Sequence, residues 1–219
     1  MIMGIRILLA DDEKMLQESL GCLLSDETGM EVIGEAGDGR TAVNLARELK
    51  PDVIVIDVEM PRLNGIEATR QVVHELPEIK VIALSECSDR RYVSEMLRAG
   101  ASAYVLKSCA FRDLVTAIDN VASGFAYLSP EISRIIIDDY VHYRSAKPET
   151  AFSILTDRER EVLQMLTEGN STKEIAKELC LSTKTVDWHR HRLMEKLNVG
   201  SIAELTKYAI NEGLTCVYY

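Results

Sequence analysis

Five short apolar runs, at residues 5–10, 32–36, 53–56, 80–84 and 103–106, constrain this chain more than any other feature. They are rich in Val and Ile, and most lack the polar alternation of a strand with one wet face. Strands that read as unbroken apolar runs are buried on both faces, the condition of a parallel sheet. Helical patterns separate the runs. One carries Met15, Leu16, Leu20, Leu23 and Leu24; another carries Ala42, Val43, Ala46 and Leu49; a third follows Gly65; the last two cover residues 88–99 and 111–123. Five β-α alternations predict a parallel sheet covered on both faces through right-handed crossovers.

After Gly124 the pattern becomes helical, and no strand signal is present beyond residue 110. Ser129-Pro130-Glu131 reads as a helix start, followed by Ile132, Ile135, Ile136 and Tyr140 at helical spacing. Residues 144–150 are polar, contain Pro148 and read as a linker. Four compact helices are expected after it. Three open on a capping box, Thr156 with Glu159, Ser171 with Glu174 and Ser201 with Glu204, while Ser182 caps the remaining one without a partner acid. The expected organisation is one domain over 1–125, a helix-bearing linker over 126–150, and a second domain over 151–219.

The net charge of −10 argues against nonspecific coating of nucleic acid. It is unevenly spread, however: residues 1–150 hold 16 basic and 25 acidic side chains, and residues 151–219 hold 9 and 10. No apolar run is long enough for a membrane span. The N-terminal residues lack a signal peptide's basic start and cleavage region. Five scattered cysteines without a Cys-x-x-Cys pair fit reduced thiols, so a cytoplasmic protein with no membrane partner is expected.

The chemistry lies at strand ends. Asp11, Asp12 and Glu13 follow the first run, Asp57 closes the third, Ser85 the fourth and Lys107 the fifth. In an open parallel sheet these ends share one edge, where ligands bind near the topological switch point. With strand order 2-1-3-4-5, Asp11, Asp12 and Asp57 converge, and their mutual repulsion calls for a hard divalent cation, Mg²⁺ best. Adding an ammonium and a hydroxyl makes a site for holding a phosphoryl group. Asp57, directly after Val-Ile-Val-Ile, is the nucleophile candidate. Taken singly, a strand-end aspartate is ordinarily a turn former or helix cap; four strand ends together are not.

The first 125 or so residues resemble the receiver domain of two-component response regulators. Leu8-Leu9-Ala10-Asp11-Asp12 is similar to that family's acid pair, and Asp57-Val-Glu-Met-Pro61-Arg-Leu-Asn-Gly65 to its phosphoacceptor segment. Leu84-Ser85 resembles the switch hydroxyl, and Tyr104-Val-Leu-Lys107 the aromatic switch residue with its phosphate-binding lysine. The resemblance implies a flavodoxin-like (βα)5 fold with Asp57 as phosphoacceptor. It implies that Asp12, Asp57 and the Glu59 backbone carbonyl hold Mg²⁺, with Asp11 acting through water. It further implies that Lys107 and Ser85 close on the phosphoryl oxygens while Tyr104 moves inward. Position 108 is Ser where many receivers carry a cis proline.

Residues 154–219 resemble the LuxR-type helix-turn-helix, so the fold class is α/β followed by a four-helix all-α domain of the NarL/FixJ arrangement. The matching segments include 155–163, Gly169, 171–176, 181–190 and 196–199. Ile175, Ala176 and Leu179 bury one helix; Val186, Leu193 and Leu197 bury the next. Residues 182–197 carry 4 basic and 2 acidic side chains, a local reversal of sign that suits entry into a charged groove. The outward face offers Lys184, Thr185, Asp187, Trp188, Arg190, His191 and Arg192. Of these, Lys184, Thr185 and Arg190 are assigned mainly to phosphate or mixed contacts, and Asp187, Trp188 and His191 to base readout. Asp187 can accept from a cytosine amino group or orient a nearby arginine. His189 and His191 carry no metal role. The family implies that the last helix, with Ile202, Leu205 and Ala209, doubles as a dimer contact beyond packing in its own domain.

The expected function is a DNA-binding transcription regulator, not an enzyme. A sensor histidine kinase phosphorylates Asp57, and this switches homodimerisation and release of the helix-turn-helix for double-stranded promoter DNA. Two other classes are weaker. A dehalogenase-type phosphatase wants a second Asp where Glu59 stands, and a flavin mononucleotide site wants a hydroxyl- and glycine-rich loop where Asp11-Asp12-Glu13 stands. A pure interaction module with a degenerate DNA domain finds its best support in Asp187.

Overall fold

The computed structural model describes residues 4–109, 111–142 and 154–211. Two compact units divide the chain, Met1–Ser145 and Ala146–Tyr219.

In the first unit the apolar runs become β1 (Ile5–Ala10), β2 (Met30–Ala36), β3 (Val53–Asp57), β4 (Lys80–Ser85) and β5 (Ala103–Leu106). Between and after them lie α1 (Lys14–Ser25), α2 (Gly39–Leu49), α3 (Gly65–Glu75), α4 (Arg90–Arg98) and α5 (Phe111–Ala122). The sheet is parallel throughout, in the order β2-β1-β3-β4-β5, as the alternation predicts. Every residue of the central strand β3 is buried.

Successive strand residues face opposite sides, and the sheet fills both. Ile7, Leu9, Val53, Val55, Ile82, Leu84 and Val105 pack with Leu24 of α1 and Leu114, Ala117, Ile118 and Val121 of α5. The intervening Leu8, Ile54, Ile56 and Ala83 are equally buried on the other side, where α2 meets α3 and α3 meets α4. Each large aliphatic side chain so buried contributes about 1.5–3 kcal/mol over exposure.

A sixth strand, β6 (Tyr127–Leu128), lies parallel to β5 and corrects the expectation of no strand beyond residue 110. Two residues are too few to show any periodicity. The ladder holds them: Tyr127 N–H donates to Ser102 O at 3.2 Å and Ser129 N–H to Tyr104 O at 3.1 Å. Helix α6 (Pro130–His142) follows, starting at the proline that marks it in the sequence. The polar linker expected over 144–150 lies outside the described residues.

The second unit has α7 (Asp157–Thr167), α8 (Thr172–Glu178), α9 (Thr183–Leu197) and α10 (Ile202–Asn211). Two capping boxes form as expected, at Thr156–Glu159 and Ser171–Glu174. The third differs. Ser201 Oγ accepts from Glu204 N–H at 3.2 Å, but the Glu204 carboxylate accepts from Gly200 N–H at 2.7 Å, one residue earlier than a capping box requires. Ser182 caps α9 by accepting from Thr185 N–H at 3.1 Å.

The core of this unit joins Val162, Leu163, Leu166, Ile175, Val186, Leu193, Leu205 and Ala209. The central helix α7 is so enclosed that its charged side chains must be paired. Arg158 donates to Leu179 O at 2.6 Å, and Lys196 from α9 donates to Glu159 at 2.5 Å. No described helix is long and apolar enough to cross a membrane. Cys22, Cys87, Cys109 and Cys180 are free thiols.

Candidate functional site

Register determines which side chains meet at the carboxyl edge of the sheet. Ala10 pairs with Ile56, Asp57 with Leu84, and Ser85 with Leu106. The residues at or just after the ends of β1, β3, β4 and β5 therefore lie level. Gly65 lets α3 start directly against this edge, because a Cβ there would meet the Asp57 carbonyl oxygen at 1.9 Å.

Lys107 stands at the centre of the group. Its ammonium lies 2.8 Å from Asp57 Oδ2, 2.9 Å from Asp11 Oδ2 and 3.0 Å from Glu13 Oε1, with the side chain only 8% exposed. Glu13 is the residue that sequence reasoning did not bring into the site. The signal was present in the Asp-Asp-Glu run, but a residue just before a helix gives no hint from sequence that it turns back to the fifth strand. Asp57 Oδ1 accepts from Glu59 N–H at 3.2 Å, and Asp11 Oδ1 accepts from Glu13 N–H at 2.8 Å.

Burial pushes the Asp57 carboxyl up to about 7; the Lys107 bond and charge pull it down, and the Asp11 charge adds to the rise. Asp12 is raised by burial and then by Asp11. Burial alone would lower Lys107, but its hydrogen bond to Asp57 and its attraction to the Asp57 and Asp11 charges outweigh that and hold the ammonium above the ordinary lysine value.

The donor set fits a hard cation. Asp11, Asp12 and Asp57 each offer an oxygen, all within 4.8 Å of one another. Asp11 Oδ2 is buried and, although beside the ammonium, has no hydrogen-bond donor aligned on it. An all-oxygen group of partly repelling carboxylates matches Mg²⁺ chemistry.

Ser85 Oγ accepts from Cys87 N–H at 3.0 Å, which ties it to the β4–α4 loop. The Tyr104 hydroxyl donates to Cys87 O in the same loop at 2.8 Å. Expected from sequence to move inward, Tyr104 is already inward here, with 0% exposure. Its phenol is raised, chiefly by burial, so it remains a donor. No described peptide bond is cis, including the one before Ser108.

In the second unit, α9 buries Val186 and Leu193 and turns its charged face outward. Lys184, Trp188, His191 and Arg192 are exposed, and Asp187 and Arg190 partly so. Thr185 is less free than expected, since its hydroxyl lies 2.8 Å from Ser182 Oγ within the cap. Asp187 Oδ1 lies 3.9 Å from the Arg190 guanidinium, the arginine-orienting arrangement weighed from sequence. Arg192 sits over the Trp188 ring at 5.5 Å. His189 turns inward and burial lowers it; its Nδ1 has no hydrogen-bond partner among the described residues.

Leu205 and Ala209 are fully buried in the core of their own unit, which removes them as dimer contacts. Their packing inside the domain is as the helical spacing leads one to expect; the added dimer role came from the family resemblance. Of the three residues expected there, Ile202 alone stands on the surface, 43% exposed.

Comparison with known proteins matches residues 7–119 to the response regulator receiver domain and residues 153–209 to the luxR family of bacterial regulatory proteins. The response regulator GacA of Pseudomonas viridiflava is 35% identical, covering 96% of this chain and 97% of GacA. The response regulator UvrY of Escherichia coli (strain K12) is 34% identical over 96% of this chain and 95% of its own. Among solved structures, RcsB from Salmonella enterica serovar Typhimurium, bound to promoter P1flhDC with the phosphomimetic BeF3⁻, aligns with TM-score 0.60. It is 25% identical and covers 94% of this chain and 97% of that one.

Proposed function

The chain belongs to the response regulators that join a receiver domain to a LuxR-type helix-turn-helix DNA-binding domain, and from that premise we propose that phosphorylation of Asp57 switches its binding to promoter DNA. The observation that carries this reading is the convergence of Asp11, Asp12, Asp57 and Lys107 at one sheet edge.

The donor is the phosphohistidine of a sensor histidine kinase. An Asp57 carboxylate oxygen forms the new P–O bond as the P–N bond breaks, and the departing imidazole recovers its proton from solvent. Asp12, Asp57 and the Glu59 carbonyl, with Asp11 through water, would hold Mg²⁺, which supplies charge neutralisation for the transferring group. Lys107 offsets part of the effect of burial on Asp57 and so favours its carboxylate form. Once the anion forms, Lys107 exchanges a carboxylate oxygen for a phosphoryl oxygen, and Ser85 donates to another. The covalent group adds roughly −1.5 to −2 charges, as in other phosphorylated side chains.

The output is DNA binding by α9. Lys184, Arg190 and Arg192 face the phosphates, with Asp187, Trp188 and His191 at base edges and Thr185 at the start of the helix. The RcsB relative bound to promoter DNA with a phosphomimetic supports this reading. Homodimerisation matches two-fold DNA sites, with Ile202 on the available surface. The functional division is a receiver over 1–125, a linker over 126–150 that lets the DNA-binding domain be released, and that domain over 151–219. The protein works in the cytoplasm.

Asp57→Ala tests the acceptor. Acetyl phosphate is expected to label the native chain and not the variant; persistent labelling at another residue overturns the assignment.

A further inference from the structure

The loop between β3 and α3 carries Glu59, whose carbonyl is a metal ligand on the reading above. Most of this loop is held by burial: Val58, Met60 and Leu63 are almost wholly enclosed. Its outer turn, Pro61-Arg62, has no such anchor. Arg62 adopts φ +65°, a left-handed conformation that a non-glycine residue rarely takes, and Leu63 N–H donates back to Pro61 O at 2.7 Å. A contact from outside the loop reaches this turn through Arg62.

The Arg62 guanidinium lies 3.0 Å from Asp38 Oδ2, in the turn between β2 and α2. This is not an ordinary surface pair, because the Asp38 side chain is 3% exposed. Asp38 is itself immobilised as the N-cap of α2, accepting from Thr41 N–H at 2.9 Å and Thr41 Oγ1 at 2.7 Å. The next residue closes the gap between the two turns, since a Cβ on Gly39 would meet Leu63 O at 2.1 Å. The end of the β3–α3 loop is therefore seated on the start of α2, and the Arg62–Asp38 pair fastens its outer side.

We infer that Asp38 and Arg62 are positioning residues for the receiver's metal, clamping the loop so that the Glu59 carbonyl is kept in its coordinating arrangement. The inference rests on the proposed Mg²⁺ site and adds two residues that do not themselves touch the metal. It also makes a prediction of unusual sign. Removing a cation near an acidic pocket should, by Coulomb's law alone, tighten Mg²⁺ binding. Loss of the clamp should weaken it.

The experiment is an Mg²⁺ titration of the full chain, followed by amide NMR, for the native protein, Arg62→Ala, Asp38→Asn and the double variant. Asp38→Asn retains a good N-cap, and a thermal melt of each variant checks that it is folded. Arg62→Ala is expected to raise the Mg²⁺ dissociation constant about tenfold, the lower end of what loss of an outer partner costs. The double variant should be little worse than either single one, and Arg62→Lys should recover part of the loss. Tighter or unchanged binding in folded Arg62→Ala, with the native chain binding normally, overturns the clamp alone. A native chain that binds no Mg²⁺ overturns the metal site and the clamp together.

Discussion

At the scale of single residues, the site is an arrangement of like charges held by one opposite charge. Three carboxylates meet the Lys107 ammonium at 2.8–3.0 Å. Replacing Lys107 with Ala leaves Asp11 and Asp57 buried and facing each other. Breaking a buried pair by removing one partner costs about 3–5 kcal/mol, and protonation of Asp57, already pushed up to about 7, brings the cost below that range. A lower melting temperature is expected for Lys107→Ala, with added Mg²⁺ restoring more of it than it adds to the native chain. A melt unaffected by the mutation would show that the ammonium does not hold the carboxylates together. Asp11, Asp12, Asp57 and Lys107 were legible because each follows a strand whose end the sequence marks. Glu13 was not, since it stands further beyond the end of β1, just before α1, and only the folded turn brings its carboxylate back to Lys107. Leu205 and Ala209 pack inside their own domain, as their helical spacing leads one to expect, and it is only the added dimer role taken from the family resemblance that their full burial does not support.

Among the elements, α7 and α9 show how a small helical domain uses its buried charge. Burial alone would raise Glu159, yet the Lys196 bond and the Thr156 cap outweigh it and hold this carboxyl below the ordinary glutamate value of 4.5. A group lowered in the folded state contributes stability that is complete above its unfolded pKa and lost as pH falls through the folded one. The second unit should therefore lose stability in acid below about pH 4.5, and Glu159→Gln should flatten that fall in a melting series. At neutral pH the same variant should cost about 1 kcal/mol, because Gln keeps the capping-box acceptor and only the charged partner of Lys196 is lost. Helix α9 supports a separate expectation: Arg190→Ala should weaken DNA binding and reduce the slope of log K against log salt by about one phosphate's worth. An unchanged slope would remove Arg190 from the phosphate contacts. The capping boxes at Thr156 and Ser171 were readable because they are local. At Ser201 only half of the signature held, because Gly200 offers its N–H to the same carboxylate.

For the whole molecule, a sheet-based unit with the excess acid is joined to a helical unit near neutrality. The proposed phosphorylation would add negative charge to the acidic unit, which charge attraction alone would turn into weaker DNA binding, so a gain in affinity points to dimerisation or domain release. Acetyl phosphate with Mg²⁺ is accordingly expected to raise the sedimentation coefficient toward that of a dimer and to tighten promoter binding in the native chain and not in Asp57→Ala. Tighter binding with no change in mass would leave domain release as the mechanism. The division of the fold into α/β and all-α parts was legible because strand-type runs stop at residue 106 and capping signatures take over.

Strand β6 has a consequence for how the chain leaves the receiver. Tyr104 grips the β4–α4 loop through its hydroxyl, while its carbonyl receives the Ser129 N–H immediately ahead of α6. One residue thus has a hand on both the β4–α4 loop and the root of the outgoing helix. A shift of the Tyr104 backbone would reach that root through a single hydrogen bond.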